Sequence, residues 1–178
     1  MKKRNYLQFT ISILLIFTMG CEDDETSNVN QPATLEPVTI TTSNVNSGDI
    51  YLNFSSGNEV SLNDNWHLSI VRDTSNYNMP SIVMGTANIG LYNDISFSEI
   101  TSLPSDFQNA IVTDNTMFEY GGEHEILSYD MTVHKVGVTN PDYVYVLQMK
   151  NNSNESFKIQ FIEYQSGITV LQYNILSD

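Results

Sequence analysis

The chain contains one cysteine, Cys21, among 178 residues. No internal disulfide can form, so the fold must stand on packing alone, and thiolate metal sites are excluded with it. Positive charge is also scarce: seven Lys and Arg face 21 Asp and Glu, for a formal charge of −14. Lys2, Lys3 and Arg4 use three of the seven, which leaves Arg72, Lys135, Lys150 and Lys158 for the remainder. So acidic a surface repels nucleic acid and anionic lipid headgroups, because no basic patch can neutralise phosphates. Also missing are any long segment with a 3.6-residue apolar period and any repeat of fixed length. There is no Gly-x-Ser-x-Gly elbow, no His-Glu-x-x-His, no phosphate-cradling glycine loop and no spaced Asp-x-Asp-x-Asp-Gly calcium loop. The many acids read as a solvated surface rather than a glycosidase pair, so the chain reads as a non-enzyme.

What is present is most distinctive at the start. Lys2 to Arg4 form a basic region, Leu7 to Met19 is mostly apolar, and Gly20-Cys21 is followed by Glu22-Asp23-Asp24-Glu25. The pattern predicts a signal peptide over 1–20, too short and too early for a transmembrane anchor. Cys21, after a small residue at the end of the apolar stretch, is the expected lipid-bearing residue, as in bacterial lipoproteins. The acidic tract resembles the one behind the lipidated cysteine of surface-displayed lipoproteins of the Bacteroidetes. That likeness implies the outer face of the outer membrane, reached through the lipid. Residues 21–36 are polar, with few apolar positions, and predict a flexible tether.

From residue 37 to 178 the pattern is that of strands, and one antiparallel all-β domain is expected. Val38 to Thr41 is short and β-branched. Ile50, Leu52 and Phe54 alternate before the Ser55-Ser56-Gly57-Asn58 turn, and Glu59 to Leu62 returns. Trp66, Leu68 and Ile70 alternate with His67, Ser69 and Val71. Residues 73–80 read as a long loop, 81–92 as a small-residue stretch with two glycines, and 98–107 as a turn around Leu103-Pro104-Ser105-Asp106. Met117 to Tyr120 reads as a short strand. Ile126 to His134, Tyr143 to Lys150, Ser156 to Tyr164 and Ile168 to Leu176 are strand-like, with a hairpin tip at 151–155.

Two blocks carry a resemblance. One is Ile50-Tyr51-Leu52-Asn53-Phe54-Ser55 followed by Asn65-Trp66-His67-Leu68-Ser69-Ile70. The other is Tyr143-Val144-Tyr145-Val146-Leu147, then Phe157-Lys158-Ile159-Gln160-Phe161, Glu163-Tyr164 and Ile168 to Tyr173. Together they resemble the HmuY-like family of Bacteroidetes lipoproteins, whose founding members are haemophores on an all-β scaffold. The family usually has Trp-Asp where this chain has Trp66-His67. The resemblance implies binding rather than catalysis, with haem iron held between axial His or Met side chains and haem passed to a TonB-dependent outer-membrane receptor.

Haem needs imidazole or thioether ligands, an apolar slot and provision for two propionates. His134 is the leading candidate, because the resemblance places one ligand at the end of the strand before Tyr143-Val144. By alternation it shares a polar face with Ser128, Asp130 and Thr132. The second ligand would come from the preceding segment, where Met117 and His124 are candidates. Met117 serves equally well as core filler, and His124 lies in a glycine-rich acidic loop. His67 reads as a surface or cleft-edge histidine in preference to a metal or haem ligand. Met79 and Met84 would line a pocket or plug the core. The scarcity of Lys and Arg weighs against tight capture of propionates. Ten tyrosines and abundant Asn, Ser and Thr equally suit a surface module that binds glycan or protein without haem.

Overall fold

The computed structural model describes residues 36–107, 112–113, 117–150 and 155–177. The expected leader, Cys21 and the tether to residue 35 lie outside the described residues, as does most of the expected tip at 151–154. The described residues belong to one compact unit. Its described strands are β1 (Val38–Thr41), β2 (Ile50–Asn53), β3 (Asn58–Val60), β4 (Leu68–Asp73), β5 (Met79–Met84), β6 (Ala87–Tyr92), β7 (Val112–Thr113), β8 (Met117–Phe118), β9 (Leu127–Asp130), β10 (Lys135–Val138), β11 (Val144–Met149), β12 (Ser156–Gln165) and β13 (Ile168–Leu176). A six-stranded sheet runs β1-β13-β12-β11-β6-β7, a five-stranded sheet runs β3-β2-β4-β5-β8, and β9-β10 is a separate hairpin. The strand pairings are antiparallel. The domain is all-β, with a 3-10 turn at Val45–Ser47 and no α-helix among the described residues.

Alternation decides which side chains meet between the sheets. Leu52, Leu68, Ile70, Ile82 and Met84 from one sheet face Ile89, Leu147, Phe157, Ile159, Phe161 and Leu171 from the other. Each such side chain leaving water contributes roughly 1.5–3 kcal/mol. Phe54, just past β2, sits at the centre. Its ring lies 5.5 Å from Phe157 and 4.8 Å from Tyr173, so it ties the five-stranded side to β12 and β13.

A smaller cluster covers the other face of the six-stranded sheet. Phe97, Ile100 and Phe107 from the 93–107 segment lie over Val144, Val146, Tyr92 and Leu176. Gly90 makes this approach possible, since a Cβ there would stand 3.2 Å from the Phe107 ring. Lys158 is drawn into the same layer, only 3% exposed. Its Nζ donates to the Phe97 carbonyl at 2.6 Å and lies 4.2 Å from the centre of the Phe97 ring. Burial lowers its pKa. Lys158→Ala removes both the packed stem and the partner of a carbonyl. It should cost about 1–3 kcal/mol in urea unfolding and speed amide exchange across 96–107.

Two sequence expectations need correction. The 73–80 loop and the 81–92 stretch contain two full strands, β5 and β6, joined by a tight turn. Small residues there serve close approach between layers. The expected strand over 126–134 stops at Asp130. The Asp130 carboxylate accepts from the Thr132 amide at 2.7 Å and from its hydroxyl at 2.6 Å, a local bond that folds the chain into a turn. His134 closes that turn at φ 54° and shares no strand face with Ser128, Asp130 or Thr132.

Candidate functional site

The turn that ends at His134 faces two others. The β12–β13 hairpin closes through Ser166 and Gly167, at φ 51° and 98°. The 3-10 turn is fastened to it. The Asn44 and Asn46 amides donate to the Ser166 carbonyl at 2.9 and 3.3 Å, and the Val45 N–H donates to the Gly167 carbonyl at 2.9 Å. Gly167 is required twice: its backbone is left-handed, and a Cβ would run into the Asn44 side chain. Between these turns lies an open hollow of about 310 Å³, lined by Asn46, His134, Lys135, Val136, Tyr164, Gln165, Ser166 and Gly167.

His134 stands exposed at this hollow. Its Nδ1 is 2.9 Å from the Tyr129 hydroxyl, which fixes the ring and leaves Nε2 open. Met131 and Val133, on the same turn, are 70% and 58% exposed. Lys135 follows directly. One imidazole, two bare apolar side chains and one ammonium thus fall within five consecutive residues. Burial pushes the Tyr164 phenol upward, and the nearby Arg72 charge partly opposes the rise.

The other two ligand candidates are elsewhere. Met117 lies on β8 beside Val83, on the face opposite the core residue Phe118, and is 42% exposed. It is therefore not the core filler that its residue type suggests. His124 is half-buried in the turn between β8 and β9. Neither lines the hollow, so of the three candidates only His134 is brought to it. Met84 is fully buried in the core, and Met79 is half-buried at the start of β5. Among the described residues, no three His, Cys, Asp or Glu side chains are grouped so that they could hold a metal ion. Were haem to bind here, His134 would be the side chain to hold the iron and Lys135 the nearby cation, beside a mainly polar lining with the apolar Met131 and Val133 outside it.

His67 departs most from its sequence reading. It is fully buried, not at a surface or a cleft edge. Its ring lies 4.9 Å from Phe157 and 5.9 Å from Phe54. The Phe54 N–H donates to Nδ1 at 3.0 Å, so the neutral ring carries its proton on Nε2. Nε2 has no hydrogen-bond partner and faces the Glu155 carboxylate at 4.0 Å. Burial lowers the His67 pKa, and Glu155 pulls weakly the other way. Alternation with Ser69 and Val71 concealed this, because His67 precedes β4 and does not follow the face of that strand.

Fold and site together define an antiparallel β-sandwich with a polar hollow at its turns. No family model matches the chain, and neither does a curated protein or a solved structure.

Proposed function

We propose that the domain captures haem at the turns around His134, and that as a lipid-anchored outer-membrane protein it presents haem to an uptake receptor of the TonB-dependent kind. The observation that carries this reading is His134 itself. Its imidazole is exposed and oriented by Tyr129, with Nε2 open, and Met131, Val133 and Lys135 lie beside it. A ligating histidine needs its second nitrogen held in this manner. Cys21 would carry the lipid, and the acidic tether would lift the domain from the membrane. No bond-making chemistry is assigned to the site.

The test is a hemin titration of residues 22–178, followed in the Soret region in both redox states. A saturable, shifted band is expected, weakened about tenfold or more by His134→Ala, the equivalent of losing about 1.4 kcal/mol. Met117→Ala and His124→Ala report whether either supplies the second ligand. A spectrum matching free hemin contradicts the proposal. The amides and hydroxyls of Asn46, Gln165, Ser166 and Tyr164 favour one other reading, a surface module that binds glycan or protein without haem.

A further inference from the structure

Carboxylates outnumber basic side chains three to one in the chain, yet none lines the hollow. Instead the hollow holds Lys135 and His134 among neutral hydrogen-bonding groups. Lys135 forms no ion pair with a carboxylate among the described residues. Its cross-strand neighbour, Asp130, turns one carboxylate oxygen to the amide and hydroxyl of Thr132 and makes no ion pair with Lys135. A second base stands near. Arg72 lies near the end of β4, against which the 3-10 turn packs, and its charge reaches the Tyr164 phenol. It too has no ion pair among the described residues. Two of the four bases beyond residue 20 thus stand close to Tyr164 without a direct ion pair among the described residues. An ammonium left unpaired beside convergent neutral donors is the complement of an anionic oxygen group.

We propose that the hollow is a carboxylate-binding subsite in which Lys135, with His134 and the amides of Asn46 and Gln165 around it, receives a carboxylate of the captured ligand. Two sources share that chemistry: a porphyrin propionate, which rests on the haem reading above, and the acid group of a sugar acid, which does not. The volume suits one such group and the atoms around it rather than a whole macrocycle.

The test uses residues 22–178 and four probes: metal-free protoporphyrin IX, its dimethyl ester, glucuronate and glucose. Binding is read by calorimetry and tyrosine fluorescence, for the wild type and for Lys135→Met. Unchanged thermal unfolding of the variant shows that its fold is intact, and Lys135→Arg tests rescue of the charge. If the diacid binds, the ester does not, and Lys135→Met weakens the diacid about tenfold or more, the subsite takes propionates. If glucuronate binds, glucose does not, and the same variant weakens it, the subsite takes a sugar acid. The proposal is overturned if acid and neutral probes bind alike, if Lys135→Met changes neither acid, or if no acid binds. Because metal-free porphyrin cannot be ligated by His134, these outcomes are independent of the hemin Soret shift. Either proposal can fail while the other stands.

Discussion

Phe54→Ala is expected to destabilise the domain by about 3–5 kcal/mol, the range for emptying an aromatic site in a close-packed core. The ring is 1% exposed and touches three aromatic neighbours, His67, Phe157 and Tyr173. These neighbours come from the approach to β4 and from β12 and β13, elements of both sheets. None can close the gap without moving its own strand. Domains of this kind hold only about 5–15 kcal/mol in total, so the variant should lose a large part of its margin. Urea unfolding followed by tyrosine and tryptophan fluorescence measures it. A loss below about 1 kcal/mol would mean that the two sheets do not meet at Phe54.

His67→Leu should produce the second large effect, and one that depends on pH. At neutral pH it leaves the Phe54 N–H buried without its acceptor, at a cost of about 1–3 kcal/mol. The wild type, however, carries a penalty that the variant lacks. Burial holds the folded His67 pKa below its unfolded value, so between the two the unfolded chain binds more protons. Stability therefore rises with pH through that window and is lost as pH falls below the unfolded histidine value of about 6.5. Protonation also removes the lone pair that accepts from Phe54. The carboxylates of Asp73, Glu99 and Asp130, whose pKa values hydrogen bonds hold low, lose their contribution only at more acid pH. The gap between wild type and His67→Leu should thus be widest near pH 7.5 and narrow toward pH 5. A gap constant across that range would show that His67 does not fold as a buried neutral ring.

The parts of this fold that could be read from the sequence are those where one face of a strand is buried and the other wet. The strand from Ile168 to Leu176 is legible because buried Leu171 and Tyr173 alternate with the half-buried Val170 and Gln172. Ile50, Leu52 and Phe54 were legible for the same reason. The strands β5 and β6 were not, because Pro80, Ser81, Gly85, Ala87 and Gly90 carry little apolar signal. Their burial comes from neighbours that close over them, such as Phe107 above Gly90. For His134 the sequence misleads on geometry: a chance alternation from Ser128 to His134 hides the turn that Asp130 and Thr132 close. The hollow itself was not legible. It joins residues 46, 134–136 and 164–167, which only the packing of three turns brings together. The buried roles of His67 and Lys158 were equally hidden, since polar residues enter a core only where tertiary neighbours supply partners.

The most direct test of ligand capture at these turns is an amide-resolved NMR titration of residues 22–178 with gallium protoporphyrin IX, a diamagnetic stand-in for ferric haem. The account predicts saturable shifts concentrated at 131–136 and 164–167 and near Asn46, needing about tenfold or more higher ligand concentration in His134→Ala. Shifts centred on Met117 or His124 instead, or none at all, would contradict it.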